Sequence, residues 1–580
     1  MPTLNWIGKE AVVNHHMQVP FRLLKDVPDL ACGDPGSGNL IVQGDNLEAL
    51  KALLPYYAGQ VKCIYIDPPY NTGNEGWAYN DNVNSPVIRD WLGKTVGKEG
   101  ETLDRHDRWL CMMYPRLALL RQFLSDDGVI FVSIDDNELA NLLFLMEETY
   151  GAQNQLATIV WEKGKKGDSK FFSENHEYIV AYARSKAVLV AKNTKWKKRK
   201  SGVDKVLAHY QSLREKHGNN HEDIRVEMMK WYRALPKEAP AKAHKHYNWS
   251  DARGLYFPDN FHGPDDGRES RPRYDIFHPT TGKPCAKPST GWRWEEARTK
   301  IALAEDPQRI HFGPDETTIP CRKSYLVDVS QEPFPTVFYK DGRAATLAVE
   351  QLLGKGRFAF PKDAEVLADL IGMVSEPGDI ILDSFGGSGT TGQAVLQLNA
   401  EGGAPRRFVM VQMAYESDEQ KALEQNIARD ITAERVRRVA QGYTNAKGEK
   451  IEGIGGSFRF CELGEPLFDE TGMIRETVKF SELARHVYFS ETGEPLPRVR
   501  VLNTPFLGEC RGVGIYLLYN GILGDESVNG GNVLTRQILA KLPPFDGQKV
   551  IYCTGCLLSR DRLQSARITV RQTPYEIKVS

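Results

Sequence analysis

Two consecutive prolines, Pro68 and Pro69, place the strongest constraint on how this 580-residue chain can fold. They follow an apolar run, residues 61–66, whose length and composition predict a buried β-strand. Proline has no backbone N–H for the hydrogen-bond ladder of a sheet, so the strand must end at Asp67. An acidic group, a rigid turn and the aromatic ring of Tyr70 are therefore held together at the carboxyl end of a strand. In open α/β sheets, ligands bind at that end.

These side chains suit the binding of an exocyclic amino group on a flat heteroaromatic ring. Such an amino group is a poor nucleophile because its lone pair is delocalised into the ring. The Asp67 carboxylate and the Pro68 carbonyl can each accept one N–H, which leaves the nitrogen facing an electrophile above the ring plane. Tyr70 can stack on the ring, an interaction worth roughly 1–3 kcal/mol per nucleic-acid base. The alternative interpretation is a proline strand terminator beside an unrelated Asp.

A glycine-rich turn follows a second apolar run, residues 380–383, which also predicts a strand. The turn, residues 385–389, leads into a periodic segment at 393–398 that predicts a helix, and residues 406–412 predict the next strand of a βαβ unit. Glycines let a ligand approach the backbone closely, and the helix N-terminus offers free N–H groups. Nucleotide, flavin and S-adenosylmethionine sites all use such turns, but the Gly-Lys-Ser/Thr ending of an ATP-binding P-loop is missing.

The two motifs and their order resemble those of the β class of DNA amino-methyltransferases. The resemblance is closest to the modification subunits of type III restriction–modification systems. It rests on Asp-Pro-Pro-Tyr followed by Asn71-Thr72-Gly73, and on Phe-Gly-Gly-Ser-Gly-Thr-Thr at residues 385–391. Supporting stretches are residues 44–50, 132–138, 175–178, 291–294 and 360–362, so the similarity covers most of residues 35–445.

The resemblance implies an α/β fold: a Rossmann-like methyltransferase sheet with permuted motif order, an inserted target-recognition domain and a C-terminal α/β domain. The implied segments are an N-terminal arm (1–34), a catalytic half (35–188), the target-recognition insertion (189–340), a cofactor-binding half (341–450) and a C-terminal domain (451–580). We expect the last of these either to mediate dimerisation or docking of a partner, or to be a structural lobe that stabilises the core.

The resemblance also implies a role for each motif residue. Asp67 and Pro68 would hold the target amine within the motif that Pro69 completes, and Tyr70 would stack on a base flipped out of the duplex. S-adenosylmethionine is the implied cofactor. Its expected contacts are Asp45, Asn46, Asp383, Phe385, Gly386, Gly387, Ser388, Gly389, Thr390 and Gln412. Many methyltransferases bind the cofactor ribose through an acidic residue where this chain has Gln412, so Glu416 and Asp418 are further candidates.

The implied reaction is direct methyl transfer to N6 of adenine, without a covalent enzyme intermediate. An N4-cytosine methyltransferase would use the same chemistry but more often has Ser in place of Asp67. A protein glutamine methyltransferase more often has Asn there and lacks a long insertion. A third alternative is a DNA-specificity subunit that acts mainly for a partner nuclease. The chain shows neither a Walker-type loop nor a nuclease carboxylate cluster, so we expect no DNA cleavage by this chain alone.

A basic, aromatic-rich stretch within the insertion is the expected DNA contact. Residues 191–250 contain fifteen Lys and Arg against six Asp and Glu. The predicted DNA-binding residues are Lys195, Trp196, Lys197, Lys198, Arg199 and Lys200. Trp231, Tyr232 and Tyr247 add rings for base stacking, since basic and aromatic side chains together suit nucleic acid. The alternative is a solvated helical face or a disordered insert.

Composition limits the remaining classes of function. A net charge of −2 argues against a protein that coats DNA generally, and no apolar run reaches the roughly 18–20 residues of a transmembrane helix. The N-terminal 22 residues have no apolar signal core. Nine scattered cysteines suit a reducing cytosol, and the resemblance implies that this is a bacterial or archaeal cytosol. The close pair Cys553 and Cys556 predicts structural cysteines rather than a metal site. The implied partners are double-stranded DNA, a second copy of the chain and an ATP-dependent helicase–nuclease restriction subunit.

Overall fold

A mixed ten-stranded sheet organises the larger of two units in this computed structural model. The larger unit comprises Met1–Thr194 and Pro335–Ser580, and the smaller unit is Lys195–Phe334. The smaller unit lies within the predicted insertion, 189–340, and is six residues shorter at each end. The structure describes residues 4–72, 103–164, 171–237, 239–264, 271–415, 418–422, 424–445, 447–497, 503–524, 531–574 and 577.

The strands of the large sheet come from the whole length of the chain. In chain order they are β1 (Arg22–Asp26), β2 (Leu40–Gln43), β3 (Val61–Ile66), β4 (Leu124–Ile134), β5 (Gln155–Glu162), β6 (His176–Ala183), β7 (Val337–Tyr339), β8 (Ile380–Asp383), β9 (Arg407–Gln412) and β10 (Arg459–Pro466). Across the sheet the order is β1-β10-β2-β9-β8-β3-β4-β6-β5-β7. The six strands from β10 to β4 are parallel to one another, and β1 and β6 are antiparallel to their neighbours. The predicted α/β fold is confirmed.

The centre of the sheet brings the two sequence motifs together. β8 and β3 are parallel neighbours, with Leu382 opposite Ile64. From β8 the chain runs through the helix Thr390–Ala400 to β9 on one side, and from β3 it returns through the helix Leu103–Phe123 to β4 on the other. In open α/β sheets, a ligand crevice forms where the connections diverge in this way. The segments after β3 and after β8 therefore share one edge of the sheet.

Helices pack against the strands of this sheet. In the described part of the larger unit, the helices are Lys9–Val12, His15–Gln18, Asn46–Tyr57, Leu103–Phe123, Leu139–Tyr150, Lys186–Ala191, Gly342–Leu353, Ala364–Val374, Thr390–Ala400, Asp418–Ala422, Glu434–Gln441, Phe480–Thr492, Arg536–Lys541 and Arg560–Ser565. Asn46–Tyr57 packs on Leu103–Phe123, and Ala364–Val374 packs on Thr390–Ala400. Parallel strands covered on both faces are apolar throughout, which explains why β3, β8 and β9 were recognisable as continuous hydrophobic runs. Within the described residues, no helix has the length and apolar character needed to cross a membrane.

The two ends of the predicted domain map are wrong. β10 lies inside the predicted separate domain 451–580, yet it pairs with β2 in the large sheet. β1 lies inside the predicted N-terminal arm, 1–34, and pairs with β10. The physical reason is that β2 would otherwise be an edge strand with unpaired backbone groups, and the later segment covers that edge. The remaining C-terminal residues do form a small sheet of Phe506–Cys510, Val513–Leu517, Gln548–Cys553 and Ile568–Gln572.

The smaller unit has a core of its own. Its helices Val203–His217 and His221–Ala234 pack together through buried residues such as Val206 and Met228. A third helix, Glu296–Ala304, lies in the same unit. A four-stranded antiparallel sheet has the order Ile310–His311, Cys321–Tyr325, Leu255–Asp259, Trp249–Ser250. The short strands Lys198–Arg199 and Gln331–Glu332 pair where the unit begins and ends. The basic stretch is therefore part of a folded unit and not of a disordered insert.

Candidate active site

The Asp-Pro-Pro-Tyr segment leaves β3 as the double proline predicts, and buried contacts fix its path. The indole N–H of Trp109 donates a hydrogen bond to the Pro69 carbonyl at 2.8 Å. Asn71 adopts a positive φ of 61° and donates from Nδ2 to the buried Glu138 carboxylate. His106 lies 2.6 Å from the same Glu138 oxygen. The segment is thus held from both sides, which preorganises the groups that precede Asn71.

Four charged side chains meet beside this segment, and we call them the lysine–carboxylate cluster: Asp67, Glu177, Lys163 and Lys362. Lys362 Nζ lies 2.8 Å from Asp67 Oδ2 and 3.6 Å from Glu177 Oε2. Lys163 Nζ lies 2.5 Å from the same Glu177 oxygen. Glu177 is the second residue of β6, and Lys163 follows β5. Because these strands pair antiparallel with Trp161 opposite Glu177, both residues reach the edge that carries Asp67.

Tyr70 connects the ring-stacking position with this cluster. Its hydroxyl donates to Glu177 Oε2 at 3.1 Å, and Lys362 Nζ lies 4.9 Å from the centroid of its ring. Burial raises the Tyr70 pKa well above its usual value, and the charges of Asp67 and Glu177 raise it further. The phenol therefore stays protonated and serves as a hydrogen-bond donor at neutral pH.

The two lysines differ in how burial and charge balance. Burial lowers the pKa of Lys163, and the charge of Lys362 lowers it further, against the opposing pull of Glu177. Burial also lowers the pKa of Lys362, but the charges of Asp67 and Glu177 outweigh this and leave its pKa raised. Lys362 is therefore an ammonium ion, although only 7% of its surface is exposed.

Each carboxylate of the cluster keeps one oxygen open. Asp67 Oδ1 and Glu177 Oε1 are buried and have no hydrogen-bond partner among the described residues. Buried polar atoms in native proteins nearly always have partners, so each of these acceptors has room for a donor from water or from a ligand. The two atoms are suited to N–H donors such as those of an amino group.

Glu177, Lys163 and Lys362 received no role from the sequence. Residues 175–178 and 360–362 support the family resemblance, but the sequence assigns no chemistry to their side chains. Their side chains come from β6, from the end of β5 and from the segment before the helix Ala364–Val374. No local pattern signals that these segments meet, because their proximity follows from strand order alone.

At the neighbouring strand end, Asp383 braces the glycine turn. Its carboxylate accepts the backbone N–H of Phe385 at 2.9 Å and the hydroxyl of Thr391 at 2.6 Å. Burial raises the Asp383 pKa to about 7, although both hydrogen bonds oppose the shift. The residue thus links the first residue of the turn to the first turn of the following helix.

The turn itself requires glycine at defined positions. Gly387 and Gly389 have φ of 49° and 82°, in the left-handed region. A Cβ on Gly389 would lie 2.8 Å from the carbonyl oxygen of Thr432. The Gly387 N–H donates to Gln412 Oε1 at 2.6 Å, and the Thr432 hydroxyl donates to the Gly387 carbonyl at 2.6 Å. The backbone is therefore held closely on one side and bare of side chains at both glycines.

A buried arginine supports this turn from beneath. Arg435 is 2% exposed and donates to Ser388 Oγ at 2.6 Å, Thr390 Oγ1 at 2.8 Å and Gln393 Oε1 at 2.8 Å. Burial lowers its pKa to about 10, so it keeps its charge. From sequence alone, the basic helix over residues 430–438 is compatible with either phosphate contact or a solvated face. For Arg435 neither interpretation holds, because its guanidinium is used inside the fold.

The remaining predicted cofactor residues have structural partners. Asp45 caps the helix Asn46–Tyr57 by accepting from the N–H groups of Leu47 and Glu48. The Asn46 side chain accepts from Arg116, which is fully buried. Gln412 supports the glycine turn, as described above. Glu416 lies outside the described residues, as does the side chain of Asp418. The cofactor roles of this group stay predictions.

Exposure divides the predicted DNA-binding residues of the smaller unit. Lys195, Lys197 and Arg199 are exposed, whereas Trp196, Lys198 and Lys200 are half-buried. Arg199 pairs with Asp204 at 3.0 Å. The interpretation of Tyr232 and Tyr247 as stacking platforms is wrong, because both lie in the core of this unit and Tyr232 donates to the Tyr247 carbonyl. Trp231 is half-buried and stacks on His209.

The predicted structural cysteines differ in exposure. Cys553 is buried in the C-terminal sheet, and Cys556 is half-buried. Among the residues that the structure describes, no group of three or more His, Cys, Asp or Glu side chains is arranged to hold a metal ion.

Comparisons with known proteins identify the family of the chain. Residues 61–422 match the model of a family described as DNA methylase. The chain is similar to the Mod subunit of the type III restriction-modification enzyme EcoP15I of Escherichia coli, with 32% identity over 76% of this chain and 69% of that protein. The Mod subunit of StyLTI from Salmonella typhimurium is 30% identical over 75% and 62% of the two chains. The Mod subunit of EcoPI from Escherichia phage P1 is 28% identical over 71% and 63%.

Proposed function

The chain belongs to the DNA methylase family, and from that membership we propose that it is the modification enzyme of a type III restriction–modification system. It transfers a methyl group from S-adenosylmethionine to N6 of an adenine flipped out of double-stranded DNA. One observation carries the proposal: the unpartnered Asp67 Oδ1 lies at the end of β3, directly beside the strand that ends in the glycine turn. An acceptor for an amine and a cradle for a methyl donor thus share one edge of the sheet.

The glycine turn fits S-adenosylmethionine. Gly387 and Gly389 leave the backbone accessible, and Asp383 and Arg435 hold its shape from within. Ser384 Oγ, at the start of the turn, is buried without a hydrogen-bond partner among the described residues. When bound, the cofactor supplies a methyl group on a positively charged sulfur, which is the electrophile that a weakly nucleophilic amine requires.

The residues of the chain then orient the amine. Asp67 Oδ1 accepts one N–H and the Pro68 carbonyl accepts the other, so the nitrogen lone pair points out of the ring plane. Tyr70 holds the ring, and its own position is fixed by the hydrogen bond to Glu177. Alignment of reacting atoms and preorganised acceptors are the main contributions of an enzyme to such a transfer. The proton that the methylated nitrogen releases passes to Asp67 Oδ1 or to water.

The choice of adenine over cytosine rests on two supports. Asp stands at the first motif position, where the N4-cytosine group more often has Ser. The three relatives named above are Mod subunits of type III enzymes. Because the chain spans about two thirds of the length of these proteins, the assembly with a restriction subunit is part of the proposal. Association with a second copy of the chain, location in a bacterial or archaeal cytosol and DNA recognition by the smaller unit are also parts of the proposal.

One experiment tests the function directly. The protein is expressed in a host that lacks DNA methylation, and the host genome is sequenced by a method that detects modified bases. We expect N6-methyladenine at one short sequence. Modified cytosine would reject adenine specificity, and an unmodified genome from a folded, cofactor-binding protein would favour a specificity subunit instead. A variant with Asp67→Ala is the matched control, since it leaves the glycine turn intact.

A further inference from the structure

Lys362 occupies a pocket built to hold a positive charge. Its ammonium lies against the carboxylates of Asp67 and Glu177, at 2.8 Å and 3.6 Å, and over the ring of Tyr70. We call these three groups the cation pocket. Carboxylates and aromatic faces are the strongest ligands for an ammonium ion in proteins, above all where water is excluded. With 7% of its surface exposed, Lys362 has little water around it.

The proposed reaction produces a cation at the same place. The target amine is neutral when it binds between Asp67 and Tyr70. As its nitrogen forms a bond to the methyl carbon and the bond from that carbon to sulfur breaks, positive charge moves onto the amine and its ring. The charge remains there until the proton leaves for Asp67 Oδ1 or water. The groups that would stabilise this charge are the groups that now surround Lys362.

We propose that the Lys362 ammonium is an internal substitute for the charged amine, a role that rests on the function proposed above. It fills the cation pocket while no base is bound, and it moves onto Glu177 when a base arrives. Glu177 can receive it because Oε1 is buried and has no partner among the described residues. Lys163 and Tyr70 already hold the other oxygen, Oε2, so the receiving carboxylate is fixed in place.

In the base-free protein, the Lys362 ammonium balances the negative charge of the site. Asp67 and Glu177 place two negative charges in a largely buried site. Without a cation beside them they would destabilise the fold, because a buried charge that has lost its partner is costly. While no base is bound, the Lys362 ammonium neutralises these two carboxylates. A base that brings no N–H donor to Asp67 has nothing to exchange for the ammonium. Lys362 is therefore a positioning residue that also lowers the affinity for a base, because the base must displace its ammonium.

The test compares two variants of opposite expected effect, with Lys340→Met as the control. Lys340 pairs with Glu365 outside the cluster, and it lies just before the helix Gly342–Leu353, as Lys362 lies just before the helix Ala364–Val374. The substrate is an unmethylated duplex that contains the recognised sequence, with 2-aminopurine beside the target adenine. The fluorescence of 2-aminopurine increases when the target leaves the base stack. Lys362→Met should lower KM for DNA about tenfold or more, because a charge-assisted hydrogen bond no longer competes. Lys362→Arg should raise it, because a guanidinium can hold both carboxylates at once.

A small cation provides a second, independent readout. Lys362→Ala leaves the cation pocket without its ammonium, so ethylammonium should inhibit this variant competitively with DNA. Sodium at equal ionic strength should not. If Lys362 had only a structural role, ethylammonium would instead restore the activity of Lys362→Ala.

The outcomes separate the inference from the function it rests on. The substitute is rejected if Lys362→Met leaves KM for DNA unchanged or raises it, or if ethylammonium rescues Lys362→Ala. Cofactor binding by calorimetry checks that each variant is folded, and if Lys362→Met fails that check, the arginine and ethylammonium results decide. A wild-type protein that methylates cytosine N4 would reject adenine specificity but leave the same tests valid. A wild-type protein that methylates nothing rejects both proposals.

Discussion

Substitution of Gly389 by alanine tests whether the shape of the glycine turn holds the cofactor. Gly389 has a φ of 82°, which costs a residue with a side chain about 1–2 kcal/mol. The new Cβ would also lie 2.8 Å from the Thr432 carbonyl oxygen, a backbone atom that cannot rotate away. Overpacking of this kind costs typically about 1–3 kcal/mol. The two terms together give about 2–5 kcal/mol in favour of a displaced turn.

Cofactor affinity is the assay, because binding must restore the turn. Each 1.4 kcal/mol corresponds to about a factor of ten in a dissociation constant. The lower end of the range therefore predicts that Gly389→Ala weakens S-adenosylmethionine binding by about 30-fold, measured by isothermal titration calorimetry.

Gly402→Ala is the matched control. Gly402 also has a positive φ, 107°, but a Cβ there would meet no atom within 4 Å. It carries the strain without the contact and lies beyond the helix that follows the turn. We expect a small loss of thermal stability and unchanged cofactor affinity. The reasoning is refuted if Gly389→Ala binds the cofactor as the wild type does, or if both variants weaken binding equally.

Three further predictions concern other parts of the molecule. Asp67→Ala should abolish methylation while calorimetry shows normal cofactor binding, and wild-type turnover would remove Asp67 from the mechanism. Burial raises the pKa of Asp383 to about 7, above the value of about 4 in an unfolded chain. Between these two pH values the folded state binds a proton that the unfolded state has lost. The contribution of Asp383 to stability is therefore lost as pH rises from about 4 to 7. Asp383→Asn should flatten that slope in thermal melts, and an unchanged slope would contradict the assignment. Lys195→Ala with Lys197→Ala should reduce the dependence of log Kd for DNA on log salt by about 0.9 per lysine that contacts phosphate. Lys300→Ala is the control, because Lys300 lies on the helix Glu296–Ala304 of the same unit. An equal effect of that substitution would argue against a specific DNA-binding surface at residues 195–197.

The parts of the site that local chemistry dictates were predictable from the sequence. Pro68 and Pro69 cannot continue a strand, so Asp67 had to lie at a strand end. Gly389 needs a positive φ, which a glycine-rich run after an apolar strand already indicates. The family resemblance followed from these same residues and is confirmed.

The parts that depend on tertiary arrangement were not predictable. Lys362 and Glu177 meet Asp67 only because β8, β3, β4 and β6 are consecutive across the sheet. Tyr232 and Tyr247 failed for a related reason: composition can place aromatic rings in a basic segment, but it cannot tell which rings face the core of that segment. Periodicity could not assign β10 to the large sheet, because nothing local to residues 459–466 names the strand with which they pair.

The position of β10 has a consequence for synthesis of the protein. β2 ends at residue 43, and its partner β10 ends at residue 466, so 423 residues must be made between the two. At about 5–20 residues per second, that interval is on the order of 20–80 s. During this time, the β2 edge and the β1 segment have no β10 to pair with, and exposed strand edges favour association with other chains. The sheet that carries the active site is thus completed only after residue 466 has been made, and chains that stop before residue 459 should aggregate rather than accumulate as folded intermediates.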